Sequence, residues 1–178
     1  MALTDKAIWT LIHGLGLGAL FLLSFSGGLA DLDSLRIRQS TPKGILQRVH
    51  RLHLAILLMA VIVWLTVIIG TWVIYPWYQA NSGESTGGAL NSPPQAYLQA
   101  NENLKGWDEF GMEWKQHIAW FAPILTTAVA YVVIRYGSAL ASLPRVRNAL
   151  LVLYIIGFAA AGLAAIFGAL ISRVAPVQ

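Results

Sequence analysis

The chain has 178 residues, 57% of them apolar and only 11% charged, with no cysteine and a formal net charge of +4. Its mean hydropathy is +0.62, a balance far from that of a water-soluble domain, and it predicts an integral membrane protein. The absence of cysteine excludes disulfides, thiolate chemistry and cysteine-ligated zinc or iron–sulfur centres within this chain, so histidine and methionine are the soft metal ligands it offers.

Helices are predicted over about residues 7–29, 42–77, 108–136 and 146–172. Each contains an apolar run near or above the roughly 20 residues that cross about 30 Å of hydrocarbon. Backbone polar groups must be satisfied inside lipid, and no segment alternates as a barrel strand does, so the spans read as helices. The expected fold is all-α: a polytopic four-transmembrane-helix bundle forming one domain over residues 1–178, with a long loop at 79–106.

Asp5 and Lys6 cancel in front of the first segment, and it has no small-residue cleavage pattern, which favours a retained helix over a signal peptide. His13 lies about 9 Å along this helix from Ala7 at about 1.5 Å per residue. Gly14, Gly16 and Gly18 follow it. Glycines this dense either let another helix approach, as at Gly14 and Gly18, or make room for a flat cofactor ring.

Thr41-Pro42 is an N-cap followed by proline at the first helical position, so helix two starts before the membrane. Ile45, Leu46, Val49 and Leu52 form an apolar stripe against Lys43, Gln47, Arg48 and Arg51, which places its first turns at headgroup level. His50, Arg51 and His53 there are candidates for a quinone or lipid headgroup site; solvated interfacial histidines are the plainer alternative.

Eight of the twelve Lys and Arg residues fall in two places. Arg36, Arg38, Lys43, Arg48 and Arg51 separate helices one and two, and Arg135, Arg145 and Arg147 separate three and four. The positive-inside rule makes both loops cytoplasmic and puts the two termini and the long loop outside, as expected for a bacterial inner membrane. Interfacial aromatic belts normally occur at both membrane faces. Here Trp9, Trp72, Trp77, Trp107, Trp114 and Trp120 cluster near the outer one, and only Trp64 lies mid-span. The outer loop, with Ser82-Gly83-Glu84-Ser85 and Asn91-Ser92-Pro93-Pro94, reads as irregular and exposed. Tyr97-Leu98 is a candidate docking spot within it.

From Trp107 the chain returns to the membrane. Phe110, Trp114, His117 and Phe121 recur at three-to-four-residue spacing and share one helix face, with Glu113 one turn before His117. Pro123 removes a backbone hydrogen bond and is expected to bend the helix. Helix four repeats small residues at Gly157, Ala161 and Ala165, and again at Ala164 and Gly168, and reads as a packing helix.

No Gly-rich phosphate loop, Gly-x-Ser-x-Gly elbow or His-Glu-x-x-His pair is present, and no catalytic residue is assigned. No Asp, Glu, Lys or Arg lies in the middle of a span, which argues against a self-sufficient pump, channel or transporter. Two neutral imidazoles, His13 and His117, start their helices at similar depth. Paired across the bundle, they are what a low-spin b-type haem takes as axial ligands. Gly14 and Gly16 would make room for the ring, Trp114 would line it, and Glu113 or Gln116 would orient His117.

At the level of its four spans and these two histidines, the chain resembles the four-helix membrane b-type cytochromes and the cytochrome-like anchor subunits of respiratory complexes. The resemblance implies an electron-transfer subunit with haem b near the outer face, other membrane subunits as partners and quinone as a further partner. Any enzymatic role would then be that of a redox subunit in a larger oxidoreductase. Two alternatives stay open: an accessory subunit without cofactor chemistry, and a chain that gives its histidines to a chlorin pigment. The basic residues sit at loop positions beside the bilayer, so nucleic acid is not an expected partner.

Overall fold

A computed structural model describes residues 4–36, 41–79 and 93–175. Among these residues there is no strand. Four long helices, α1 (Asp5–Ser34), α2 (Lys43–Gln79), α4 (Trp107–Ser142) and α5 (Pro144–Val174), are long and apolar enough to cross a membrane. A short helix, α3 (Pro94–Gln99), lies between α2 and α4.

Local chemistry sets the ends of the long helices. The Thr4 hydroxyl accepts from Ala7 N at 3.2 Å to start α1. The predicted cap at Thr41 accepts from Gly44 N at 3.2 Å, with Pro42 in the first turn of α2. α1 runs past its apolar stretch to Ser34 because its polar end is held: Arg51 pairs with Asp31 at 2.8 Å, and Arg48 donates to the Ser34 carbonyl at 2.9 Å. Arg147 is buried beside them and reaches the Leu35 and Ala141 carbonyls at 3.4 Å. Basic residues predicted to orient the chain therefore also satisfy carbonyls left open at helix C-termini. α4 stays helical through Pro123, whose ring is buried, and tightens into 3-10 geometry from Gly137, whose φ of 49° a β-carbon would disfavour.

α1 packs along α2, α2 along α4 and α4 along α5, while α1 meets α5 only lightly and has no substantial contact with α4. α1 and α4 thus stand across the bundle from one another. The main core is built from Leu52, Ile56, Met59 and Val63 of α2, Val129 and Val133 of α4, Tyr154 of α5 and Leu32 of α1.

Association between helices in lipid gains little from apolar burial as such and depends on close fit. The closest approach is at Gly28, where an added β-carbon would sit 2.4 Å from the Tyr154 hydroxyl. That hydroxyl donates to the Ser24 carbonyl at 3.2 Å. A β-carbon on Gly157 would make ordinary contacts, 3.4 Å from the Thr126 methyl and 3.8 Å from the Ala122 carbonyl. Along α5 the predicted Gly157 and Ala164 are buried, together with Ala160, and Ala161 packs against the core, while Ala165 is exposed.

The glycines beside His13 also need correction as an intrachain contact. A β-carbon on Gly14 or Gly18 would meet nothing within 4 Å, and one on Gly16 only the Leu11 carbonyl at 3.9 Å. Among the described residues nothing packs closely on them. α1 is correspondingly the least embedded span, with 11% of its most apolar window buried against 33–39% for the other three.

A second, smaller core closes the end of the bundle where both termini lie. It joins Tyr78, Leu98, Met112, Ile171 and Ala175. Leu98, half of the candidate docking spot, is fully buried here, so this residue docks within the chain. Asp108, also buried, accepts from the Tyr78 hydroxyl at 2.5 Å, from Gln99 at 2.8 Å and from Gln95 at 3.4 Å, tying α2, α3 and α4 together. The sequence 79–92 apart from Gln79, including the Ser-Gly-rich run, lies outside the described residues.

Candidate functional site

The two histidines sit near the terminal end of the bundle, as the sequence predicts, but they face in different directions. His117 lies on the side of α4 turned away from the core, and its side chain is 78% exposed. Its Nδ1 lies 2.7 Å from the Glu113 carbonyl and 3.7 Å from the Glu113 carboxylate. A neutral imidazole placed this way donates from Nδ1 to the carbonyl and leaves Nε2 pointing outward with its lone pair free, the form in which histidine ligates iron. Phe110, Trp114 and Phe121 of the predicted face are exposed with it. Phe110 and Trp114 pack at 5.7 Å between centroids, and Phe110 meets Phe167 of α5 edge-on at 6.4 Å. On the other flank of His117, Trp120 packs edge-on against both Trp72 and Trp64 of α2, at 6.5 and 6.0 Å. The Trp64 indole donates to the Thr127 hydroxyl at 3.0 Å.

His13 is turned the other way. It sits in a π-helical turn, Ile12–Gly16, and its ring lies against Gly70, which opens a second π-helical turn at Gly70–Ile74. A β-carbon on Gly70 would be 3.0 Å from the His13 Cε1, so glycine is what allows the ring in. Its Nδ1 is buried and has no hydrogen-bond partner among the described residues.

The structure therefore does not bring His13 and His117 together. One is drawn into the bundle from α1, and the other projects from the outward face of α4. The expected haem between these helices would need both imidazoles on one ring, and in the structure they face apart. Of the residues expected around such a ring, Glu113 does orient His117, though through its backbone carbonyl, and Trp114 shares the exposed face.

His50, Arg51 and His53 in the first turns of α2 do not form one site either. His53 Nε2 is 3.1 Å from the Val133 carbonyl, a bond across α2 and α4. Arg51 is engaged with Asp31. His50 is exposed beside Lys43, Gln47 and Arg48 on an open groove, and Arg51, though paired, is exposed on it too. Sequence reasoning missed the cross-helix bond because His50 and His53 are three residues apart, and spacing alone does not say which faces a neighbour.

Among the described residues no three His, Asp or Glu side chains converge to hold a metal ion. Comparison with known protein families, with curated proteins and with solved structures finds no match to this chain.

Proposed function

We propose that the chain is an integral membrane subunit of an electron-transfer complex, in which His117 supplies one axial nitrogen to a b-type haem seated on the outward aromatic face of α4. The observation that carries this reading is the His117 Nδ1 held 2.7 Å from the Glu113 carbonyl on a side chain that is 78% exposed. Backbone orientation of the far ring nitrogen is the usual arrangement of a metal-ligating histidine. A haem held there would carry one electron at a time between ferric and ferrous iron. The protein's part would be to hold the His117 imidazole in one tautomer and to offer Phe110, Trp114 and Phe121 as apolar walls. Because the ligand faces out of the bundle, the site is complete only in an assembly. With the basic loops cytoplasmic, it lies near the outer leaflet.

A specific observation also favours the accessory-subunit reading: α1 is little embedded, and Gly14 and Gly18 present an open face. Small residues of that kind let a partner helix approach closely. On this reading the chain is a scaffold, with or without a chlorin on His117. Extraction in mild detergent followed by an absorption spectrum separates the cases. A Soret band with reducible α bands supports haem, far-red absorption supports a chlorin, and co-purified subunits with neither support the scaffold.

A further inference from the structure

One face of α2 changes character along its length. Lys43, Gln47 and His50, then Leu54, Leu57, Val61, Leu65 and Ile68, recur at steps of three or four residues and are all exposed. At about 3.6 residues per turn they share one side of the helix. The first three are polar and the rest apolar, with no reversal between them. Leu54 to Ile68 covers about 21 Å at about 1.5 Å per residue, more than the roughly 15 Å of hydrocarbon in one leaflet of a core about 30 Å thick.

The polar part of this face lies on an open groove, lined by Lys43, Leu46, Gln47, Arg48, His50 and Arg51 among others, with no acidic residue in its lining. Two of its cations are held from behind. Arg48 donates through Nη1 to the Ser34 carbonyl at 2.9 Å, and Arg51 through Nη2 to Asp31 at 2.8 Å. A guanidinium carries five N–H donors in a rigid fork, so each bond steadies the group and leaves donors over for an anion. Lys43 forms no ion pair among the described residues. Asp31, only 14% exposed, offsets one of the three positive charges. The other two remain, fixed in one groove at the head of an apolar track.

We propose that the first turns of α2 bind an anionic phospholipid, its phosphate on Lys43, Arg48 and Arg51 and an acyl chain along Leu54, Leu57 and Val61. Arginine and lysine are the usual partners of phosphate oxygens, arginine through paired N–H groups. A soluble anion would use the charges and leave the apolar track bare. A zwitterionic lipid would bring an ammonium that no carboxylate in the lining meets, so a net negative headgroup is preferred. His53 takes no part, because its ring is bonded to the Val133 carbonyl. The site lies at the opposite end of the bundle from His117 and rests on nothing in the haem reading.

The test is thermal unfolding of the full chain in detergent micelles carrying rising fractions of phosphatidylglycerol or of phosphatidylcholine, and in lipid-free micelles with inorganic phosphate. A ligand that binds only the folded state raises the melting temperature. Phosphatidylglycerol should do so by several degrees, and phosphatidylcholine and phosphate should leave it nearly unmoved. One basic residue beside an anionic headgroup is worth about fivefold in binding, so Lys43→Gln should raise the phosphatidylglycerol fraction at half-maximal shift by about that factor. Arg145→Gln removes the same charge from an exposed position at the start of α5, at the same end of the bundle but outside the groove, and should leave that fraction unchanged. His50→Ala should weaken the response by a smaller factor and supplies the reading if Lys43→Gln does not fold. The proposal is overturned if phosphatidylglycerol gives no shift, or if phosphatidylcholine or phosphate stabilises equally well. It is overturned too if Lys43→Gln, or His50→Ala in its place, keeps the full response, or if Arg145→Gln weakens it as much as Lys43→Gln, the mark of a diffuse attraction.

Discussion

Replacing Tyr78 with phenylalanine tests the clamp that fixes the start of α4, and with it the direction His117 faces. The Tyr78 hydroxyl donates to Asp108 at 2.5 Å with both residues buried. A hydrogen bond to a charged group contributes about 1.5–3 kcal/mol. Asp108 keeps Gln99 at 2.8 Å and Gln95 at 3.4 Å after the change, so it is not stranded and the loss should fall near the lower bound, about 1.5 kcal/mol. Asp108→Ala strips all three donors and leaves a buried hydroxyl without an acceptor, which adds about 1–3 kcal/mol. In a double-mutant cycle read by reversible unfolding in mixed micelles, Tyr78→Phe in the Asp108→Ala background should then cost nothing and recover part of that penalty, giving a coupling of at least about 1.5 kcal/mol. Hydrogen exchange at the amides of α3 should accelerate in both single variants. A coupling below about 0.3 kcal/mol, the scatter expected of independent sites, would refute the clamp.

Further outcomes follow from the packing and the charge pattern. Gly28→Ala forces a β-carbon against Tyr154 in the α1–α5 contact and should destabilise by about 1–3 kcal/mol in the same unfolding assay; Gly14→Ala, with open space around it, should not destabilise the isolated chain. His53→Ala removes the bond to the Val133 carbonyl and should cost about 1 kcal/mol without changing any visible absorption. A cysteine at the exposed position Glu102 should react with an impermeant maleimide added to intact cells; labelling only after lysis would reverse the orientation.

What could be read in the sequence, and what could not, follows from the solvent on either side of each helix. Thr41 with Pro42 announces the start of α2 because capping is a local matter. The shared face of Phe110, Trp114, His117 and Phe121 was legible from spacing, and the structure exposes Phe110, Trp114, His117 and Phe121 alike. Which way that face looks was not legible. In water the apolar stripe points to the core, but lipid is as apolar as the bundle interior, so a face of aromatic residues fits either side.

The expected pairing of His13 with His117 rested on depth alone and had no evidence of direction. Lys115 and Gln116 held the missing signal, since a lysine and an amide two and one residues before His117 fall on other faces and need a polar interior to receive them. α3 was missed because six residues in a Pro- and Ser-rich stretch carry too little pattern. Leu98 and the Gln99 bond to Asp108 hold it in place from outside its own sequence.

The most direct test of the electron-transfer reading is a reduced-minus-oxidised spectrum with a pyridine haemochrome assay on the complex extracted in mild detergent, for the natural chain, His117→Ala and His13→Ala. The account predicts a b-type α band in the natural complex, its loss or conversion to a high-spin form in His117→Ala, and its retention in His13→Ala. A natural complex without haem, or one whose band survives His117→Ala and disappears with His13→Ala, would contradict it.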